Sequence, residues 1–457
     1  MAFYMAPCYA YNNKQDHSYG MKSFPKKWLI LSHGFNMDGR AASLTVTDKI
    51  PYLLEAGIQP IVLSAVTGRK DIRFPHYQLL PWGPSGLRFD FRHWFAVQFG
   101  KKLPYKIITP LVSLLLAPFT VLEKLFFRLS SQASWSLPAA FKGIRLVKSG
   151  QVDLIYSSGG AWSAHYAAWL IKKVTKVTWI AEIHDPMIAR ADALDDGTRP
   201  QKTREKRFTQ RLEGKICRDA DHVWWFTEQA LHYAKQRHPE LGDKGFVVYP
   251  GAEPPGCHQP LPPYEYQERL SIAHFGSLAD NRSLTPLLEA MAIFFNHTPE
   301  ARDKIKIDVY GAGLDSFSKN TLEQLNLKPS VIAHGRIEND EKTGKSGREI
   351  IMDKMRLADV LLLLHGNYEE CAEYYPSKLY DYYWTDRPIL ALTHRSPDLD
   401  AILAKRQAYL AHTLDQGSIL KALKEIWNDW ASKQLHQQVF EPISPKVAVA
   451  NILARIK

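Results

Sequence analysis

Residues 358–391, ADVLLLLHGNYEECAEYYPSKLYDYYWTDRPILA, place an apolar run, a polar loop and a helix-forming stretch in that order. The run from Ala358 to Leu364 has the length and leucine content of a strand buried on both faces. Pro376 suits the first position of a helix, where its missing amide hydrogen would have no intrahelical acceptor. This order predicts one strand–loop–helix unit of a parallel sheet.

Similar units recur in both halves of the chain. Their apolar runs of five or six residues alternate with helical stretches, which is typical of parallel sheets covered by helices on both faces. The predicted strands are 27–32, 59–64, 152–156, 177–183 and 222–226 in the first half, and 270–275, 306–310 and 331–334 in the second. A helix is expected over residues 41–56, closed by Gly57.

A proline-rich stretch, residues 250–263, separates the two sets of units and reads as a linker. We therefore predict an α/β protein with two doubly wound Rossmann-type domains, 25–255 and 265–435, facing each other across a cleft. Residues 1–24 form an unassigned extension, and a helix in 436–457 could cross back to the first domain. Ligands of such sheets bind where strands end and helices begin, so the cleft is the expected site.

The helix predicted at Pro376 has the features of an anion site with an acid on either side. Ser377 and Lys378 fall in its first turn, where free amides and the helix dipole favour an anion. Asp381 projects from the same face as Ser377, and Glu373 lies in the preceding loop. A carboxylate repels phosphate, so each acid is expected to bind hydroxyl groups beside it. Hydroxyls on both sides of a diphosphate are the chemistry of a sugar nucleotide.

Composition and charge narrow the class of protein. The 457 residues carry a net charge of +11, and the excess lies in the first half, where residues 1–230 hold 31 Lys and Arg against 18 Asp and Glu. A basic half indicates an anionic partner: nucleic acid, an acidic membrane leaflet or a diphosphate-linked acceptor. The four cysteines lack metal-ligand spacing, and no signal-peptide layout is present, so we expect reduced thiols and a cytoplasmic protein.

One apolar segment, Ile107 to Leu122, is flanked by Lys101, Lys102, Lys106, Lys124 and Arg128. It contains two prolines and is shorter than the roughly 20 apolar residues that span a bilayer. Two interpretations stay open: a core helix pair of the first domain, or an interfacial segment that dips into an anionic leaflet. The second would place the protein peripherally on the inner face of the cell membrane.

With these motifs in view, the chain resembles glycosyltransferase family four, whose retaining sugar-nucleotide enzymes have the two-Rossmann (GT-B) architecture. The resemblance extends from about Trp28 onward. It is most specific at Pro376-Ser-Lys-Leu-Tyr-Asp-Tyr382, which is similar to the P-S-K-x-x-E-Y form of the family's acidic-pair motif. The segments 179–186 (WIAEIHDP) and 135–140 (WSLPAA) are similar to those of members that build bacterial surface polysaccharides.

The resemblance implies roles for individual residues. Glu373 would hold hydroxyls of the transferred sugar, and His184 with Asp185 would lie near the reacting bond. The residues implied at the nucleotide-sugar donor are Gly276, Arg282, Gly335, Arg336, Ile337, Ser377, Lys378, Leu379 and Asp381. The loops holding Gly39, Arg40, Ser158 and Gly159 are candidates for the acceptor.

Two places depart from the family's pattern. Members often carry Arg after the glycine matched by Gly276 and Lys several residues later, whereas this chain has Ser277 and Ser283. The diphosphate would then depend on Arg282 and Lys378. In addition, this chain has Asp381 at the position where family members usually have the Glu that binds the ribose hydroxyls.

The expected reaction is sugar transfer to a saccharide or lipid-linked acceptor without a metal or other cofactor, because Lys378, Arg282 and the helix end can stabilise the leaving diphosphate. Retention of configuration is implied by the resemblance alone. Three alternatives stay open: a sugar-nucleotide 2-epimerase, a catalytically inactive binding module, and a basic nucleic-acid-binding protein. The last is disfavoured because the aromatic residues lie mostly within apolar strands rather than among Lys and Arg.

Overall fold

A computed structural model describes residues 26–37, 40–100, 102–127, 129–188, 204–260, 264–340, 342–435 and 441–456. Its first domain contains a parallel sheet in the order β3-β2-β1-β4-β5-β6-β7. The strands are β1 Lys27–Leu31, β2 Gln59–Ser64, β3 His76–Gln78, β4 Leu154–Gly159, β5 Thr178–Ile183, β6 His222–Trp225 and β7 Gly245–Val247. The order reverses between β1 and β4, which is where ligands of open parallel sheets bind.

The second domain contains a parallel sheet in the order β10-β9-β8-β11-β12-β13. Its strands are β8 Leu270–Phe275, β9 Ile305–Tyr310, β10 Val331–Gly335, β11 Val360–Leu364, β12 Ile389–Thr393 and β13 Tyr409–His412. The order reverses between β8 and β11. β11 is buried along its whole length, whereas β10 is an edge strand and largely exposed.

Helices cover the two sheets and form the connections. Those of the first domain are α1 Ala41–Thr47, α2 Ile50–Glu55, α3 Pro84–Phe99, α4 Leu103–Leu115, α5 Ala117–Phe126, α6 Ser136–Lys148, α7 Trp162–Thr175, α8 Arg204–Asp219 and α9 Glu228–Arg237. Those that follow are α10 Thr285–His297, α11 Ser316–Gln324, α12 Gly347–Leu357, α13 Lys378–Tyr382, α14 Pro397–Lys405, α15 Gln416–Ala431 and α16 Pro445–Ile456. Short 3-10 helices span Ala133–Trp135, Pro239–Lys244, Pro299–Ala301, Lys328–Ser330 and Glu369–Glu373.

Each sheet is packed on both faces by apolar side chains, as the apolar runs predicted. The last helix, α16, belongs in space to the first domain, because Ala448, Val449 and Ile452 pack with Trp28 and Ile30 of β1. In the linker, the Arg356 guanidinium donates to the carbonyl oxygens of residues 256, 257 and 259 at 2.9–3.3 Å. The linker is therefore held against the second domain.

The helix predicted over residues 41–56 is two helices, α1 and α2, and the prediction of one was wrong. The break falls at Asp48 and Lys49, whose side chains turn toward different partners described below. Gly57 closes α2 with a φ of 79°, a conformation that glycine adopts without strain.

The apolar segment forms α4 and α5, which together run from Leu103 to Phe126 and are long and apolar enough to cross a membrane by length and composition alone. Both helices contact α3. Most of their large apolar side chains are exposed, so the interpretation as a core helix pair was wrong.

Candidate functional site

The stretch around Pro376 differs in detail from the predicted helix. The helix α13 begins at Lys378, two residues later than expected, and has only five residues. The Leu379 amide donates to the Pro376 carbonyl at 3.0 Å, so it is not available to an anion. The Leu379 side chain lies in the core of the second domain. Any anion here would therefore be bound mainly by side chains rather than by a helix terminus.

Lys378 and Asp381 form an ion pair, with Nζ and Oδ2 2.9 Å apart. The Lys378 side chain is one-third exposed, Asp381 is half-buried, and Ser377 is exposed. An incoming diphosphate would compete with Asp381 for the ammonium group, since the phosphate carries the larger charge. The pair is positioned to open when an anion binds.

Positive charge collects at the carboxyl end of β8. The buried His274 imidazole donates from Nδ1 to the Leu362 carbonyl at 3.1 Å, and its Nε2 has no hydrogen-bond partner among the described residues. Burial, opposed by that backbone bond and assisted by the nearby charges of Arg282 and Lys378, lowers the pKa of His274 to about 4. Both cations thus lie close to one neutral ring beside Gly276.

Close backbone approach at this edge depends on glycine. The Gly276 amide donates to the Tyr310 carbonyl, and the Gly311 amide donates to the Gly335 carbonyl, both at 2.9 Å. A Cβ atom on Gly311 would lie 2.0 Å from the Gly276 carbonyl oxygen, so any side chain there would force β8 and β9 apart.

The loop after β10 lies on the same edge. His334 stacks on Tyr310 with ring centroids 4.3 Å apart, and Tyr310 stacks on Phe275 at 4.8 Å. Arg336 is exposed, and Ile337 is half-buried. The loop that holds the predicted donor residues Gly335, Arg336 and Ile337 therefore adjoins the glycine-lined strand ends.

In the first domain, a buried polar network occupies the ends of β4 and β5. The Glu182 carboxylate pairs with the Lys49 ammonium at 2.6 Å and accepts from the Ser158 hydroxyl at 2.7 Å. It also accepts from Trp224 Nε1 at 3.0 Å and lies 2.9 Å from His184 Nε2. Glu182 and Lys49 are both 0% exposed.

The protonation state of this network follows from its charges. Burial by itself would raise the pKa of Glu182, but the Lys49 ammonium and the His184 bond together bring it below its ordinary value. Glu182 is therefore an ionised carboxylate that fixes the orientation of the His184 ring. Asp185, which follows, is exposed and not part of the network.

The loops considered for the acceptor meet beside this network. Gly160 approaches α1 so closely that a Cβ would lie 2.4 Å from the Ala42 Cβ atom. Arg40 is exposed at the start of α1, and Gly39 lies outside the described residues. A cavity of about 220 Å³ opens nearby, lined by Asn36, Met37, Leu44, Thr47 and Arg69. Ser158 is committed to the network, whereas this cavity is open to a ligand.

The two domains touch at the predicted catalytic residues. The Thr227 hydroxyl, which caps α9, donates to the Glu373 carbonyl at 2.8 Å. The preceding residue, Phe226, stacks on His184 with ring centroids 4.9 Å apart. The neighbouring residues Phe226 and Thr227 therefore connect the His184 ring to the segment that carries Glu373, through one contact each.

A second contact crosses the cleft on the donor side. The Arg348 guanidinium of α12 forms a bidentate pair with Asp48, at 3.0 and 2.7 Å. Burial would lower the pKa of Arg348, but Asp48, with a smaller contribution from Asp381, raises it above its ordinary value. Arg348 is thus held between the first domain and the donor-side acid.

These contacts join residues of both domains into one site. Six of the predicted residues adjoin it: His184, Gly276, Arg282, Glu373, Lys378 and Asp381. The side chains that connect them were not predicted from the sequence: Lys49, Asp48, Thr227, Phe226 and Arg348. Glu182 offered a signal, since a carboxylate within a buried strand requires a cationic partner.

Among the described residues, one group of three possible metal ligands has its atoms within 4.8 Å of one another: Glu253, Cys257 and His258. It lies in the linker. Glu253 already accepts from the Tyr52 hydroxyl and from His258, and burial raises the pKa of the Cys257 thiol to about 11. The Glu253 and His258 ligand atoms are therefore already bonded to each other, and Glu253 also to Tyr52 of α2.

No protein-family model matches the sequence, and no curated protein matches it. Solved structures do align over nearly the whole chain. An E. coli structure titled as trehalose-6-phosphate bound with UDP-2-fluoro glucose is 12% identical, with 94% of this chain and 96% of that one covered and a TM-score of 0.56. The apo form of the lipopolysaccharide outer core galactosyltransferase WaaB is 12% identical, with 94% and 99% covered and a TM-score of 0.51.

A putative UDP-N-acetylglucosamine 2-epimerase from Listeria monocytogenes is 10% identical, with 94% and 96% covered and a TM-score of 0.50. At such identities the likeness concerns the fold. The protein has two parallel-sheet α/β domains in the GT-B arrangement, which confirms the predicted fold class. The chemistry must be argued from the site.

Proposed function

We propose that the protein is a glycosyltransferase that moves a sugar from a nucleotide-sugar donor to a saccharide acceptor. The observation that carries the proposal is the cationic cluster of Arg282 and Lys378 at the end of β8, joined across the cleft to the His184 network through Thr227 and Glu373. It supplies an anion site and a hydroxyl-binding site in one cleft. Solved structures with this fold include one with a UDP-sugar analogue bound.

In this proposal the diphosphate lies against Gly276, where no side chain intervenes, and draws Lys378 away from Asp381. Asp381 is then available to the ribose hydroxyls. As the bond to the sugar breaks, negative charge grows on the diphosphate, and Lys378 and Arg282 stabilise it. We expect transfer without a metal ion, because these two cations supply the charge that a metal would otherwise provide.

The transferred sugar would lie between Glu373 and His184. His184 is oriented by Glu182, so its ring can bond a sugar hydroxyl at a fixed position. We further propose retention of configuration, by resemblance to family four, and an acceptor presented from the cavity beside α1. A lipid-linked saccharide fits the basic first domain.

The test is release of nucleoside diphosphate when the purified protein is incubated with a panel of sugar nucleotides and saccharide acceptors, with and without a chelator. Lys378→Ala should weaken donor binding, measured by calorimetry. Lys328→Ala is the matched control, because Lys328 also pairs with an acid, Glu323 at 3.0 Å, but precedes β10 and so lies at the opposite end of the strands from this site. Equal donor binding by Lys378→Ala and wild type would refute the diphosphate assignment.

Glu373→Gln should reduce transfer while leaving affinity for the bare nucleoside diphosphate unchanged. Glu370→Gln, on the same 3-10 helix, is its control. A chelator should leave the rate unchanged, and loss of activity in it would overturn metal independence.

A sugar-nucleotide 2-epimerase is the second candidate, since a protein of that description shares the fold. It would need acids and bases around the sugar ring beyond those of the described cleft. Incubation of donor alone separates the two functions: an epimerised sugar nucleotide in the absence of acceptor would favour the epimerase.

A further inference from the structure

The helices α4 and α5 have their polar and apolar faces reversed relative to helices of a soluble domain. The fully buried residues of the segment Leu103–Phe126 are Thr109 in α4 and Thr120 in α5. Both helices pack against α3, so each buried threonine lies on the side of its helix that faces the protein. Threonine therefore faces the protein, while leucine and phenylalanine face outward.

The outward face is large and continuous. Leu111, Leu114 and Leu115 of α4 are 55–70% exposed, and Leu122, Leu125 and Phe126 of α5 are 51–70% exposed. A soluble monomer rarely exposes so many large apolar side chains on one surface. In water this surface would promote aggregation, so a partner is expected to cover it.

Charge around the surface identifies the partner. The exposed ammonium groups of Lys102, Lys106 and Lys124 lie at the two ends of the apolar face. Glu123 is the single acidic residue of segment 103–126, and its carboxylate is turned inward, where it accepts from the Ser85 amide at 2.7 Å at the start of α3. An apolar face with basic ends and no outward acid complements an anionic lipid leaflet.

The geometry favours lying in the interface over spanning the bilayer. Uncharged residues run only from Ile107 to Leu122, about 24 Å of helix, which is shorter than the roughly 30 Å hydrocarbon core. Both helices also pack along α3, and both ends of the segment return to the first domain. The polar face therefore stays on protein while the opposite face meets lipid.

We propose that α4 and α5 form a monotopic docking surface for an anionic membrane leaflet. The leucine and phenylalanine side chains enter the headgroup–acyl boundary, and the flanking lysines contact lipid phosphates. This surface belongs to the first domain, so docking would present that domain's cavity to acceptors at the membrane.

The test is flotation of the full chain with vesicles of phosphatidylcholine alone or mixed with phosphatidylglycerol. We expect binding to the anionic vesicles that weakens with salt. Leu114→Glu should lower the vesicle partition coefficient by about tenfold or more, because the variant loses the favourable transfer of one leucine side chain from water into the membrane. Leu414→Glu is the control, since Leu414 is equally exposed, at 68% against 70%, but lies in the second domain.

Wild-type protein that floats with neither vesicle, or a Leu114→Glu variant that binds like wild type, would overturn the proposal. Protein that resists extraction by alkaline carbonate would show a spanning helix instead. If the wild-type protein is a dimer, Leu114→Glu is a monomer and neither binds vesicles, the surface would be assigned to contact with a second copy of the chain. Transfer to a soluble acceptor should persist in Leu114→Glu, so this test is independent of the proposed activity.

Discussion

Replacing Lys49 by methionine should destabilise the first domain strongly. The substitution removes the ammonium group 2.6 Å from the Glu182 carboxylate, at a position where both side chains are 0% exposed. Breaking a buried ion pair in this way typically costs about 3–5 kcal/mol, because one charge remains in a low-dielectric environment. Ser158 and Trp224 still donate to the carboxylate, so we expect the lower end, about 3 kcal/mol.

The assay is a double-mutant cycle with urea unfolding followed by circular dichroism, each transition being fitted separately because the chain has two domains. Lys49→Met combined with Glu182→Gln leaves no buried charge, so the double variant should lose less than the sum of the single losses, by at least about 1 kcal/mol. Lys172→Met is the matched control: Lys172 pairs with Asp221 at an equally short 2.7 Å, but half-exposed, and should cost less than about 1 kcal/mol.

Acid titration gives a second readout of the same pair. The pKa of Glu182 in the folded protein is below its ordinary value, so its contribution to stability is present above the unfolded pKa, about 4.5, and disappears as the pH falls. The Glu182→Gln variant should lack this acid-sensitive contribution to the unfolding free energy. The reasoning would be refuted if the losses of unfolding free energy in the cycle were additive and the unfolding free energy of Lys49→Met lay within about 1 kcal/mol of the wild-type value.

Three further predictions concern the cleft and its supports. Arg348→Ala should loosen the contact between the two domains without lowering the unfolding free energy of either core. The measurement is hydrogen exchange, in which the amides of α1 near Asp48 should exchange faster; an unchanged exchange rate would contradict the prediction. Burial raises the pKa of Asp90 to about 7, so the Asp90 contribution to stability is lost as the pH rises from 4 to 7, and wild type should lose stability relative to Asp90→Asn over that range; a difference between the two proteins that does not change with pH would show Asp90 ionised. Gly311→Ala should abolish donor binding in calorimetry, because its Cβ would displace the Gly276 carbonyl; wild-type affinity would refute the close approach.

The strands could be predicted because their signal is local. A buried parallel strand is an apolar run whatever it packs against, and β2 and β8 have the bounds expected from the sequence. β12 and β13 were not predicted as strands. The break between α1 and α2 could not be foreseen, because it depends on Asp48, whose partner Arg348 is 300 positions away.

Part of the site was also predictable, because its signal is local in the sequence. Lys378 and Asp381 are close in sequence, and the structure pairs them. The start of α13 was misplaced because the bond at Pro376 is a short one, from the Leu379 amide to the Pro376 carbonyl, which closes a turn before the α-helix begins at Lys378. The partners of Glu182 come from another helix and another strand, and no period in the sequence records such tertiary pairing.

The Thr227 contact shows how the fold can join the two domains at the candidate site without using the acid of Glu373. Thr227 follows β6 and caps α9, so its position is set by the first domain. Its hydroxyl bonds the carbonyl of Glu373 and not the carboxylate. This contact therefore leaves the Glu373 carboxylate out of the bond between the domains, while the Arg348–Asp48 pair joins them through side chains. In the proposed function, a donor held on the second sheet and an acceptor held on the first would react where these strand ends approach each other.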